Sequence, residues 1–269
     1  MTTSESLSQS RESEFTVTVL QQAFELWFEP EIRRRQAAGA IPQPSSLFAA
    51  QLLMEPGRPP VIRFNGEIRG VFQARPGAHT TFPVEKGTQL RLADLGEIVG
   101  MQLTDEDANA GHLTAIIHQG TWYLMFDFRY NAARVARNLD VSRQFLAAAE
   151  SAIEKSHLNA AVENLFASVE LAAKSYLMMH PDERLLQKAR HRFVSTEFNR
   201  YGGKHKNVDE SFVILFNTLS NIRIRARYPD EPLATTLGEV NTWLAIARSM
   251  LADLDARRPK VYNTKGQAR

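Results

Sequence analysis

No cysteine occurs among the 269 residues. Its absence excludes disulfides, thiolate metal sites and a thiol nucleophile, and it suits a reducing compartment. Long apolar runs are missing too: none approaches the ~18 residues of a membrane-crossing helix. Met1–Ser13 is rich in Ser, Thr and Glu and lacks the apolar stretch of a signal peptide, so it is expected to be a disordered leader. These features predict a cytoplasmic protein without membrane attachment. Net charge is also scarce, +2 from 32 basic and 30 acidic side chains. That is too little to draw a polyanion to the whole surface, so any electrostatic site has to be local. The 7 histidines are scattered and form no HxH or HExxH pair, so neither a metal nor a cofactor is expected.

What is present separates into two halves, as a chain of this length predicts. Glu14–Ala38 reads as a leading helix, with Leu20, Phe24, Trp27 and Phe28 at helical spacing and a break or kink at Pro30. Ser46–Met54 has the look of a short helix. From Val61 to Tyr130 the pattern turns to short β-branched or alternating runs: Val61–Phe64, Ile68–Gln73, Gln89–Leu92 and Leu113–His118. Asn65-Gly66 is a hairpin signal, because both residues tolerate positive φ. Thr121–Phe128 reads as the central buried strand, its aromatic residues mostly in the core. The expectation is a sheet of four to six strands, open or partly closed into a barrel.

Beyond Tyr130 the strand signals stop. Residues 131–138 lead into a helix. Val141–Lys155, Ser156–His180, Asn207–Arg225 and Thr235–Asp255 each carry an apolar stripe of helical period. Pro181 stops the second of these. Asn207 with Glu210 resembles a capping box at the start of the third. Tyr201-Gly-Gly203, inside a charged connection that holds one short helix, reads as a flexible turn, and Pro229–Pro232 as another. The predicted class is therefore α+β: a small β-rich domain over residues 14–130 with its leading helix, an antiparallel four-helix bundle over 138–257, and a basic tail over 258–269.

Three stretches of the bundle resemble the HEPN superfamily (higher eukaryotes and prokaryotes nucleotide-binding). They are Asn159–Lys174, where small residues and Glu/Lys positions alternate with core positions, the polar crossing from His191 to Lys206, and Leu219-Ser-Asn-Ile-Arg-Ile-Arg-Ala-Arg-Tyr228. The resemblance implies a homodimer through the bundle and a role with RNA or a nucleotide. In HEPN ribonucleases an arginine is followed after four to six residues by a histidine, and two copies meet to cut RNA. Histidine can move the 2′-hydroxyl proton, and arginine can stabilise the charged phosphorane. Arg223 matches the arginine, but after four intervening residues the position holds Tyr228, and no histidine follows. A phenol with a pKa near 10 is a poor proton acceptor at neutral pH, although it can donate a hydrogen bond or stack on a base. His157, His191 and His205 are the histidines that could substitute.

The surrounding composition suits an anion. Glu183–Arg227 holds ten Lys and Arg against four Asp and Glu, with Phe193, Phe198 and Tyr201 interleaved. Candidate contacts are Arg223, Arg225, Arg227, Tyr228, His191, Lys204 and Lys206. Residues two apart do not share a helical face, so presenting all three arginines together requires an unwound exit. Within a helix they would instead complement its dipole. Glu163, Glu170 and Lys174 form a polar stripe facing this motif, or an ordinary i,i+4 pair between Glu170 and Lys174. The reading is a non-catalytic RNA- or nucleotide-binding protein whose β domain confers specificity. Its alternatives are a metal-independent ribonuclease with a relocated histidine and a structural adaptor that binds no nucleic acid.

Overall fold

The computed structural model describes residues 14–43, 46–77, 95–186, 191–228 and 233–260. The leader, the expected strand at Gln89–Leu92, the turn at Pro229–Pro232 and the last nine residues of the tail lie outside that set. The chain divides into two compact units, parting between Phe128 and Arg129.

In the first unit, helix α1 spans residues 14–37. Its middle, Phe24–Phe28, is a π turn, and the α geometry resumes at Glu29–Ala37 with Pro30 in the first turn. The helix thus continues through the proline. A π turn shifts the hydrogen-bond register ahead of Pro30, so the missing N–H interrupts nothing.

Among the described residues six strands follow: β1 Ala49–Met54, β2 Val61–Phe64, β3 Val71–Pro76, β4 Leu95–Gln102, β5 Gly111–His118 and β6 Thr121–Asp127. Four form an antiparallel sheet in the order β2-β1-β5-β6, and β3 with β4 form a separate pair. Ala23 and Phe28 of α1 pack with Ala50, Leu52, Phe64 and Leu113 in one apolar cluster. Ala49, Ile98 and Ile116 make a second, with Ile68 and Phe72 against it.

Three expectations change here. Within Ser46–Met54 the stretch Ala49–Met54 forms a strand in place of the expected helix, because β1 lies between two partners and is buried at every position before Met54. A run buried on both faces carries no alternation to distinguish it from a short helix. Asn65 does take positive φ, but its turn leads from β2 into the other sheet, so it closes no hairpin. The strand at Thr121–Asp127 is an edge strand; β1 and β5 are central, and Phe126 and Phe128 are exposed. The acidic turn at Asp105–Asp107 is an anchor. Asp107 takes Arg63 in a two-pronged pair at 2.5 and 3.0 Å, and Arg63 in turn donates to the fully buried Gln51.

The second unit contains α2 Ala132–Glu154, α3 Leu158–Met178, α4 His191–Phe198, α5 Glu210–Arg227 and α6 Leu237–Arg257. Four are long; those consecutive in sequence run antiparallel, whereas α6 runs parallel to α3, the Tyr176 hydroxyl near the end of α3 donating to Met250 and Asp253 near the end of α6. Asn131 and Asn138, at the start of α2, reach Met178 at the end of α3; Asn159, at the start of α3, reaches Ala226 at the end of α5. Helix α3 is the centre, packing against α2, α4, α5 and α6. Its Leu165, Val169, Ala172 and Tyr176 are fully buried, and burying a large apolar side chain contributes roughly 1.5–3 kcal/mol. Small residues bring α2 and α3 close together. Ser142 Oγ donates to the Ser168 carbonyl at 2.7 Å, and Ser168 Oγ returns the bond at 2.9 Å.

Local punctuation differs from expectation at two places. Asp209, rather than Asn207, caps α5 by accepting from Ser211 N–H. Tyr201-Gly-Gly203 is no flexible turn but part of a π turn, Asn199–Lys204, that extends α4. A Cβ on Gly202 would lie 2.5 Å from Val213 and 2.7 Å from Val208. Glycine is required there by close packing. Among the described residues, no helix is long and apolar enough to cross a membrane.

Candidate nucleic-acid interface

Glu163, Phe166 and Glu170 of α3 recur at intervals of three and four, so they line one face of that helix. Ser220, Arg223 and Arg227 do the same on α5. The helices run antiparallel, which brings Glu163 opposite Arg227 and Phe166 opposite Arg223. His191, the first residue of α4, completes the cluster from a third helix.

At its centre is the Phe166 ring. The Arg223 guanidinium carbon lies 4.3 Å from the ring centroid, over its face. A cation there is attracted by the π-electron density, which fixes a long side chain without neutralising it. No carboxylate pairs with Arg223 among the described residues. His191 meets the same ring edge-on, with centroids 5.4 Å apart, and stacks on Phe216 at 6.0 Å. Its Nδ1 is 2.5 Å from Glu170 Oε1 and its Nε2 is 3.1 Å from Ser220 Oγ.

The three arginines do not act alike. Helix α5 stays helical to Arg227 and becomes extended only at Tyr228, so no unwound exit gathers them. Asn159 explains why: its side-chain amide donates to the Ala226 carbonyl at 2.9 Å, satisfying an acceptor that the helix end would leave free. Arg227 is committed to Glu163 at 2.6 Å, and that hydrogen bond raises its already high pKa. Arg225 projects from a different face and is exposed. Tyr228 is 56% exposed, beside Ile224 at 61%.

The other candidates separate. Lys206 precedes α5 and lies 3.8 Å from Glu210. The 13 positions from Glu210 to Arg223 make about 20 Å of helix, so Lys204 and Lys206 sit at the opposite end from Arg223. Lys174 is half-buried, and Glu170 bonds to His191 instead of to it. A cleft of about 470 Å³ opens by the end of α3, lined by His180, Tyr201, Arg184 and Arg200. Its arginines are already held by Asp182 and Glu197. No group of three His, Asp or Glu side chains gathers as metal ligands among the described residues.

A helical unit over the C-terminal half was the expectation drawn from the HEPN resemblance. Residues 136–256 match the HEPN domain family model. The likeness is therefore to the C-terminal half, and it points to a nucleotide- or RNA-related role for the HEPN-like half. No curated protein and no solved structure matches the chain.

Sequence reasoning missed Phe166, Phe216 and Ser220. The aromatic rings read as core, and both are buried there, Phe216 completely and Phe166 almost so. Ser220 carried a usable signal, because it stands three residues before Arg223 on the same helical face.

Proposed function

We propose that the HEPN-like half binds RNA or a nucleotide through Arg223 and the exposed Tyr228, with Arg225 offering a further cation from another face of the same helix end, and that it does so without cleaving its ligand. The observation that carries this reading is the Arg223 guanidinium. It is held over Phe166 at 4.3 Å and has no carboxylate partner among the described residues. A fixed, un-neutralised guanidinium offers paired N–H donors to phosphate oxygens at little ordering cost. The exposed phenol of Tyr228 supplies a surface on which a base can stack. In this reading two copies associate through the helical unit, and the β unit selects the target or partner.

Fluorescence anisotropy of labelled single-stranded RNA and of labelled ATP, over a range of salt, tests the proposal on the full chain. Binding that weakens with salt and is lost in Arg223→Gln is expected. Absence of binding to both ligands at low salt overturns it. Light scattering reports the mass, with two chains expected.

A second reading, a metal-independent ribonuclease with a relocated histidine, gains support from one contact: His191 and Arg223 touch the same ring. Incubation with total RNA decides it. Cleavage abolished by His191→Gln would replace the non-catalytic reading.

A further inference from the structure

Glu170, His191 and Ser220 come from three helices and meet in a fixed order. A carboxylate is an acceptor only, so the 2.5 Å contact requires Nδ1 of His191 to carry the proton. The neutral ring then has its lone pair on Nε2, which lies 3.1 Å from Ser220 Oγ. Phe166 and Phe216 hold the ring edge-on and face-on. The imidazole therefore has its tautomer fixed on one side and a hydroxyl on the other. Ser220 is neither buried nor fully exposed, and His191 retains 31% of its side-chain surface. One helical turn beyond Ser220 stands Arg223, whose charge no carboxylate among the described residues neutralises.

We propose that Ser220 is a nucleophile activated by His191, and that its substrate class is a phosphoryl ester or anhydride. Oγ attacks phosphorus while its proton passes to His191 Nε2. The leaving group departs with the electron pair of its bond to phosphorus and takes that proton from the imidazolium. Arg223 stabilises the negative charge on the phosphoryl oxygens, and Glu170 is the positioning residue that fixes the ring. A general base standing free to act on a ribose hydroxyl would present an open Nε2. Here Ser220 occupies that position, which makes the serine the atom that reacts. The inference goes beyond the binding proposal, with which it shares only Arg223: the RNA or nucleotide of that proposal is held without being cut, and the ester or anhydride attacked by Ser220 is a different ligand that competes for the same guanidinium.

A fluorophosphonate tests it, the P–F bond standing in for the scissile bond. The full chain is incubated with the probe, and the adduct is located by peptide mass spectrometry. Labelling at Ser220 is expected, absent in Ser220→Ala and slowed by about 10²–10⁴ in His191→Gln. A far-downfield proton on Nδ1 should be seen by NMR and vanish in Glu170→Gln, with the labelling rate falling alongside it. No adduct at Ser220 in protein that melts cooperatively overturns the proposal, as does labelling unaffected by His191→Gln.

Should His191→Gln fail to fold, Ser220→Cys gives an independent reading, because the chain has no other cysteine. Its thiol should alkylate with iodoacetamide about tenfold faster at neutral pH than that of Thr218→Cys, through a larger thiolate fraction. Equal or slower alkylation overturns the assignment. Neither probe carries a base or a ribose. Failure here leaves RNA binding standing, and failure of RNA binding leaves this nucleophile standing.

Discussion

Replacing Arg223 by glutamine removes one charge from the face shared by α3 and α5 while keeping a polar side chain of similar reach. In the free protein the loss is the contact with Phe166 at 4.3 Å, roughly 0.5–1 kcal/mol for a partly exposed cation over a ring. The fold should survive with a small drop in melting temperature. In the complex the loss is a charge-assisted hydrogen bond to phosphate, about 1.5–3 kcal/mol, or roughly ten- to hundredfold in affinity. The salt dependence should also fall. Each phosphate neutralised on a single strand contributes a slope of about −0.7 in log K against log salt, and that increment disappears with the arginine. Two substitutions calibrate the result. Arg227→Gln should weaken binding less, because Glu163 already occupies that guanidinium at 2.6 Å. Lys206→Gln should change nothing, since its ammonium lies at the far end of α5, 3.8 Å from Glu210. Anisotropy titrations of labelled RNA at several salt concentrations measure all three. Equal losses for Arg223→Gln and Lys206→Gln, or an unchanged slope for Arg223→Gln, would refute the assignment of the interface to this face.

Three further outcomes follow from packing and burial. Ser168→Leu should destabilise the helical unit by several kcal/mol, on the order of the overpacking penalty plus the lost bonds to Ser142; chemical denaturation reads it, and a neutral result would contradict the close α2–α3 approach. Gly202→Ala should cost about 1–3 kcal/mol through contact with Val213 and Val208, and Val213→Ala in the same chain should recover part of the loss. Burial lowers the pKa of His112 in the first unit and of His180 in the second below 6.5. The unfolded chain then binds more protons, so stability falls as pH drops below about 6.5, until the folded-state values are passed. Thermal melts from pH 7.5 to 5 should show this decline. His180→Asn should flatten the part that belongs to the second unit, and an unchanged decline would assign it elsewhere.

The division of the chain was legible in order and periodicity. Apolar stripes at helical spacing located the four long helices, because a helix packed on one side must repeat its core positions about every 3.6 residues. The same signal failed for Ala49–Met54, where burial on both faces erased the alternation that marks a strand, and for Leu95–Gln102, where Gly96 and Gly100 interrupt it. Sequence also singled out Arg223, which follows from the motif alone, as does the lack of a histidine after it.

Only the tertiary structure decided what stands beside Arg223. His191 is 32 residues earlier and Phe166 is 57 residues earlier, separations across which no local pattern carries information. The antiparallel packing of α3 against α5 put Glu163 on Arg227 and left Arg223 over a ring. The charged connection after α3 delivered His191 between Glu170 and Ser220. The chain specifies which faces must be buried. Which polar groups meet at the edge of that burial is settled by helix direction and register, and those exist only once the helices have packed.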